Sequence, residues 1–535
     1  MRIIRAAAGW GAHAAAACTT LPPGAGLPRP VTHALDPTLH TPLEEQFATQ
    51  ARSHPDASGF RLLSVGIDGL AARVELIDAA TRTLDLQYYL FRADESGSIL
   101  ATALLRAAER GVRVRLLLDD GETVPGDEKI LSLTAKPGIE VRIFNPLRYR
   151  GHNRLLRGAE FLLEKGRLDY RMHNKLLVAD NAVAIIGGRN IGDQYFQIDP
   201  ESQFGDDDVI LAGPMVRRLS DVFDQFWNGD LAIPAANVDR RDTSDVALSS
   251  FETALDAHQA PDAPAPHAAA VARTAAAAAT ESSQGPLARI TSGRTPLIWA
   301  EAQLAYDSPD KKAVDDGDAR GRLIYKALAE HARAINHELL MVTPYFIPSP
   351  DELAVIDADR AKGERVSILT NSLAAAPNIA AQSGYMHYRV ALLARGVELH
   401  EIRPRLGSVT GSGQNRAISR YGNYALHAKI YVFDRKTLFI GSMNYDQRSR
   451  HLNTEIGLFI ASPDLAKEAA KRFDELTRPE DAYALSLDQA GGDPHLVWTT
   501  DLDGHTVRYT TEPARSEWQR IKVRLFSLLP LDQEL

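Results

Sequence analysis

Apolar residues arrive along the chain in short runs bounded by polar turns, and longer amphipathic stretches separate those runs. VRVRLLLDD (112–120), IEVRIF (139–144) and LLVAD (176–180) have the length and branched content of β-strands. In SILATALLRAAERG (98–111) the apolar positions recur every three or four residues and stop at Gly111, which predicts an amphipathic helix closed by a glycine C-cap. Strand and helix patterns alternate throughout, so the expected fold class is α/β with packed layers.

The pattern then repeats itself. GVRVRLLLDD (111–120) matches GERVSILTNS (363–372), GIEVRIFNP (138–146) matches GVELHEIRP (396–404), and LDLQYYLF (84–91) matches LLMVTPYFIP (339–348). A period of roughly 250 residues means that one half has been duplicated. The predicted architecture is two homologous α/β sandwich halves related by a pseudo-twofold axis, with one shared site between them. The expected division is an N-terminal tail over 1–54, a first domain over 55–240 and an Ala/Pro-rich linker over 241–293. A second domain over 294–510 and an amphipathic C-terminal segment over 511–535 complete it.

The chemistry sits in the repeat. RMHNKLLVADNAVAIIGGRN (171–190) and YALHAKIYVFDRKTLFIGSMN (424–444) carry the same five residues at the same spacing: His173, Lys175, Asp180, Gly187 and Asn190 in one, His427, Lys429, Asp434, Gly441 and Asn444 in the other. Residues two apart on a strand share a face, so each His stands beside its Lys. Asp180-Asn181 reads as a hairpin turn, and the Gly187-Gly188 pair as a place where backbone can approach a ligand closely. Imidazole, ammonium and amide groups converging on one centre suit a phosphate. Each stretch supplies half of such a site.

Both stretches match the HxK(x)4D(x)6G motif of the phospholipase D superfamily. RTLDLQYYLF, RGVRVRLLLDD, GGRNIGDQYF, LTNSLAA and WQRIKVRLFSLLP most resemble its bacterial cardiolipin synthase C branch, over nearly the whole chain from about Gly59. The resemblance implies a phosphatidyltransferase in which one histidine forms a phosphohistidine and the other acts as acid and base. It assigns the nucleophile to His173 and the acid/base to His427, and pseudosymmetry leaves the reverse open. Lys175, Lys429, Asn190 and Asn444 would balance the phosphoryl oxygens. Asp180 and Asp434 complete the catalytic motif, and their turn positions read as supports beyond the reactive face. Glu455 and Asp208, both ahead of apolar strands, are expected to orient the histidines; Asp206 and Asp207 blur the choice, and which acid serves which histidine is open. With cationic pairs in place of clustered carboxylates, no metal and no cofactor is expected. The expected product is cardiolipin, from phosphatidylglycerol and a second phospholipid such as phosphatidylethanolamine. Hydrolysis to phosphatidic acid and a non-catalytic lipid-binding scaffold are the alternatives, and one chain is expected to suffice for catalysis.

Bulk properties narrow the partners. A net charge of −9 argues against a nucleic-acid binder. The 148–171 stretch is locally basic, which suits lipid phosphates at an anionic surface. No run of eighteen apolar residues exists to span a bilayer. Cys18 is the only cysteine and follows MRIIRAAAGWGAHAAAA, which resembles a lipoprotein signal and makes Cys18 a lipidation candidate; the other reading is a plain alanine-rich start. A membrane-associated protein of the bacterial cell envelope is therefore expected. At the C-terminus, EWQRIKVRLFSLLP places Trp518, Ile521, Leu525, Leu528 and Leu529 on one helical face. That face is expected to pack on its own domain, with a bilayer interface as the alternative.

Overall fold

The computed structural model describes residues 21–122, 126–151, 153–199, 201–259, 284–311, 323–406, 423–488 and 494–529. Cys18 lies outside the described residues. The strands of the first half are β1 (Ser58–Leu63), β2 (Thr83–Tyr88), β3 (Arg113–Asp119), β4 (Ile139–Phe144), β5 (Arg171–Met172), β6 (Leu176–Ala179), β7 (Val183–Gly187), β8 (Ser202–Gly205), β9 (Asp208–Ala212) and β10 (Ala232–Pro234). Those of the second half are β11 (Ile298–Ala300), β12 (Ala302–Tyr306), β13 (Glu338–Val342), β14 (Arg365–Asn371), β15 (Glu398–Ile402), β16 (Asn423–Leu426), β17 (Ile430–Phe433), β18 (Thr437–Gly441), β19 (Asn453–Thr454), β20 (Ile456–Ile460), β21 (Ala482–Asp488), β22 (His495–Leu502) and β23 (His505–Tyr509).

The first sheet runs β10-β4-β3-β2-β6-β7-β9-β1-β11 and the second β12-β20-β18-β17-β13-β14-β15-β21-β22-β23. From β10 to β1 and from β21 to β12 the order is the same, strand for strand. The duplication read from the sequence is thus a duplication of topology, with parallel β2-β3-β4 and β13-β14-β15 blocks joined to antiparallel hairpins. The chain passes from one sheet to the other at Glu301, because β11 still pairs with β1 and β12 already pairs with β20. The first sheet therefore extends past the expected boundary at 294.

Two outer helices of the first half, α1 (Gly66–Ala79) and α2 (Glu95–Glu109), cover one face of its sheet through Leu70, Leu76, Leu100 and Leu104. Between the two sheets lies a shared layer. There α4 (Pro214–Trp227) and α6 (Pro463–Leu476) bury Phe223, Phe226 and Trp227, and Leu465 and Phe473, against apolar residues of both sheets. Each large side chain removed from water in this way contributes about 1.5–3 kcal/mol, and the layer holds the two halves in one register.

Three segments depart from expectation. Residues 21–54 are no free tail: Arg115 and Arg142 donate to the carbonyls of Thr32 and Pro30, and helix Pro42–Ser53 buries Leu43 and Phe47. The expected linker begins with helix Asp245–Gln259, whose Leu248, Phe251 and Leu255 are buried in the first domain's core; residues 260–283 are outside the described set. The C-terminal α7 (Glu517–Phe526) buries only Val523. Its apolar face, expected to pack on the domain, stays exposed, as does that of α3 (Arg154–Leu163). Among the described residues no helix is long and apolar enough to cross a membrane.

Candidate active site

The site is assembled by two small parallel ladders that run between the halves. In the first, β8 pairs with β16 with Gly205 opposite Leu426. The next residue on each strand is Asp206 and His427, and His427 Nδ1 lies 2.6 Å from Asp206 Oδ2. In the second ladder β5 pairs with β19 with Met172 opposite Thr454. The next residues are His173 and Glu455, with Nδ1 2.9 Å from Oε1 and 3.0 Å from Oε2. Backbone bonds lock both registers, from His427 N–H to Gly205 and from His173 N–H to Thr454. Each half therefore gives its carboxylate to the histidine of the other.

This corrects the expectation for Asp208. Across the hairpins Gly187 pairs with Asp208 and Gly441 with Gly457, so the counterpart of Glu455 is Asp206, two residues earlier. Asp208 is fully buried between Arg73, at 2.9 Å, and Arg189, at 3.1 Å. It is a framework ion pair. The two glycines also serve another purpose than the expected one. A side chain at Gly187 would place its Cβ 2.4 Å from Asp208 Oδ1, and one at Gly441 2.4 Å from the Ile456 carbonyl. These glycines admit the neighbouring strand of the sheet. At Gly188 a Cβ would lie 2.1 Å from Asp206 Oδ1; the second half has Ser442 there, whose hydroxyl donates to Glu455.

His173 and His427 are both buried and both line one cleft of about 470 Å³. Asn190, Asn444, Tyr89 and Tyr345 line it as well, the last two being the matched positions of the repeat. Tyr89 meets the His173 ring edge-on with centroids 5.0 Å apart, and Phe204 stacks on His427 at 5.4 Å. Lys175 Nζ donates to the His173 carbonyl at 2.5 Å, and Lys429 Nζ to that of His427. Both ammonium groups are thus held beside their imidazoles, as the motif spacing predicts.

Asp180 and Asp434 are not in this cleft, which corrects their grouping with the catalytic residues. Each occupies the far end of a hairpin, at φ 53° and 54°. Asp180 accepts backbone hydrogen bonds from Thr81, Arg82 and Thr83, and Asp434 from Asn336, His337 and Glu338. They tie the hairpin to the strand beside it. The basic run before the first motif is also largely committed elsewhere: Arg150 pairs with Asp120, Arg167 with Glu164, and Arg171 with Asp119. Of these three only Arg171 borders the cleft.

Burial and the neighbouring cations depress both imidazoles, His173 well below its ordinary value and His427 to about 3. Burial also pushes the Lys429 ammonium down to about 8, and lowers Lys175. The two acids part company. For Asp206, burial is outweighed by His427 and Lys429, which hold it well below the usual carboxylate range. Burial wins at Glu455 and raises it to about 7, against Lys175 and the hydroxyls of Ser442 and Ser449. Ser442 and Phe204 escape sequence reasoning because their contacts cross strands or halves; Tyr89 lies in the repeated run LDLQYYLF, the signal that could have found it.

Paired His-x-Lys faces at the junction of two topologically identical α/β halves define the phospholipase D type of protein. The family model described as "Cardiolipin synthase, PLD-like domain" matches residues 74–227 and 327–477, and the chain belongs to that family. It is 36% identical over 480 residues to cardiolipin synthase C of Escherichia coli strain K12, covering 90% of this chain and 96% of that one. To the cardiolipin synthase of Geobacillus sp. strain WCH70 it is 25% identical over 420 residues, 78% and 66% of the two chains. The fold is similar to that of the phosphatidylserine synthase of Haemophilus influenzae Rd KW20, with a TM-score of 0.51 at 12% identity over 92% of this chain and 100% of that one.

Proposed function

We propose that this protein is a phosphatidyltransferase that makes cardiolipin at a bacterial membrane. The observation that carries the chemistry is the reciprocal pairing of His173 with Glu455 and His427 with Asp206 around one cleft. With each Nδ1 occupied by a carboxylate, each Nε2 is the nitrogen left for reaction. Burial and the nearby cations hold both imidazoles neutral in the free cleft, so what parts their roles is the carboxylate behind each. The Nε2 of His173 forms the P–N bond as the P–O bond to the head group breaks. The anionic phosphodiester in the cleft, with ionised Asp206, offsets the cations that depress His427, so His427 takes up a proton with the substrate and gives it to the departing alkoxide. Asp206, ionised, is the better carboxylate to support an imidazolium at His427, which favours the acid/base assignment. A hydroxyl of phosphatidylglycerol then gives its proton to His427 as it forms the new P–O bond and releases His173. Lys175 and Lys429, both buried, balance charge on the phosphoryl oxygens, and such interactions are strongest away from bulk water; Asn190 and Asn444 border the same space. Both histidines come from one chain, so a monomer suffices.

The acceptor decides between synthase and hydrolase, because both reactions pass through the same adduct. A lipid hydroxyl held beside it has an effective molarity of up to about 10⁵–10⁸ M and outruns water. Purified enzyme given labelled phosphatidylglycerol in mixed micelles, with and without phosphatidylethanolamine, should yield cardiolipin and release glycerol or ethanolamine. Phosphatidic acid as the dominant product in both mixtures would make the protein a hydrolase.

A further inference from the structure

Two short helices, one from each half, leave apolar faces in water at the rim of the cleft. On α3, Leu155 is 83% exposed and Leu162 75%. On α7 and the turn after it, Trp518 is 59% exposed and Leu528 80%. Isolated exposed leucines are ordinary; a stripe of them on each of two helices is not.

Their position matters more than their exposure. α3 reaches the site directly, since Phe161 lines the cleft with His173 and His427. α7 packs on α5 (Ile379–Met386), and Ala381 of α5 lines the same cleft. The rim contact is pinned by Gln519 Nε2, which donates to the Leu373 carbonyl at 2.7 Å, and by Arg515 Nε to Ala374 at 2.5 Å. Both apolar faces therefore flank one mouth from opposite halves.

Charge selects the occupant. Lys522 and Arg524 are exposed among the apolar residues of α7, and Lys522 sits over the Trp518 ring with Nζ 5.5 Å from its centroid. Basic side chains interleaved with Trp and Leu on a short helix are the pattern of a segment lying in an anionic lipid interface. We propose that α3 and α7 together seat the protein on an anionic bilayer, with the cleft mouth held against the lipid. The proposal rests on the reading of the cleft as a lipid-phosphate site. It explains why the C-terminal apolar face stays exposed among the described residues, and how a lipid head group enters the cleft without crossing water.

The test uses the full chain carrying Cys18→Ser, so that no acyl anchor contributes. Co-sedimentation with phosphatidylglycerol/phosphatidylethanolamine vesicles is compared with the further variant L155Q/L162Q/L525Q/L528Q. The variant should bind these vesicles at least about tenfold more weakly, while turning over dihexanoyl phosphatidylglycerol below its micelle concentration at the unmodified rate. Unchanged vesicle binding would overturn the proposal. So would a variant that becomes monomeric while still binding vesicles, which would give the faces to a second copy of the chain. A measurement with both helices intact guards against misfolding of the variant: brominated lipids should quench a component of the tryptophan emission that Trp518→Phe removes, and vesicle-bound protein with no such component would overturn the proposal too. Vesicle binding through these faces with no cardiolipin formed would uphold the docking and sink the transferase reading, so the two fail separately.

Discussion

The carboxylate that holds His427 belongs to the other half of the molecule: Asp206 Oδ2 lies 2.6 Å from His427 Nδ1. Asp206→Asn removes the charge that supports an imidazolium while keeping the shape. It is expected to lower kcat by about 10²–10⁴-fold, the contribution of a positioned acid–base group, with little change in melting temperature. Asp208→Asn should do the opposite. It leaves Arg73 and Arg189 buried beside a neutral group, costing about 3–5 kcal/mol of stability, and the molecules that remain folded should turn over normally. Paired measurement of kcat and thermal unfolding separates the two; equal effects would undo the assignment of Asp206.

The two histidines are expected to fail differently. His173→Ala should abolish turnover and form no adduct. His427→Ala should also lose turnover, and samples given a p-nitrophenyl phosphatidyl ester and quenched in alkaline denaturant, where the P–N bond survives, should contain a His173 peptide carrying the phosphatidyl group by mass spectrometry, because attack can proceed with this good leaving group while release is blocked. An adduct on residue 427 in His173→Ala would reverse the roles.

Activity should have a narrow pH optimum. Glu455 accepts the Nδ1 proton of His173 only as a carboxylate, and burial raises it to about 7. kcat/KM is therefore present above about pH 7 and lost as pH falls through it. Lys429 is pushed down to about 8, so its positive charge, and activity with it, is lost as pH rises through that value. Glu455→Gln should erase the acid limb. Because burial also lowers Lys175, the double variant Lys175→Arg/Lys429→Arg should move the alkaline limb upward, since a guanidinium keeps its proton. Profiles of kcat/KM in mixed micelles check both, and two unmoved limbs would contradict the electrostatics of the site.

Asp180 and Asp434 are expected to matter for stability alone. Asp180→Ala leaves the N–H groups of Thr81, Arg82 and Thr83 without their acceptor, a loss of about 2–4 kcal/mol. Denaturant unfolding should show it, and specific activity per folded molecule should not fall. A proportionate loss of kcat would return these residues to the reacting centre.

Much of this was legible in the residues. The duplicated runs around Val114 and Val366 foretold two like sheets, and the spacing of His173 with Lys175 and of His427 with Lys429 foretold the cleft, because side-chain direction along extended backbone follows position in sequence alone. Likewise Asp180 and Asp434, followed by a second turn residue and an apolar run, already read as hairpin turns. What lay beyond reach was every pairing made across the molecule. Asp206 and Asp208 are two residues apart, share a strand-like setting and differ only in what stands opposite. The register of β8 on β16 sends one to His427, and the register of β9 on β7 sends the other to Arg73 and Arg189. The exposed face of α7 was undecidable for the same reason: helical spacing says which residues share a face, and only packing of the rest of the chain says whether anything covers it. Local periodicity is a property of bonded neighbours. Partner choice is settled by surfaces brought together over hundreds of residues, and only the folded structure contains it.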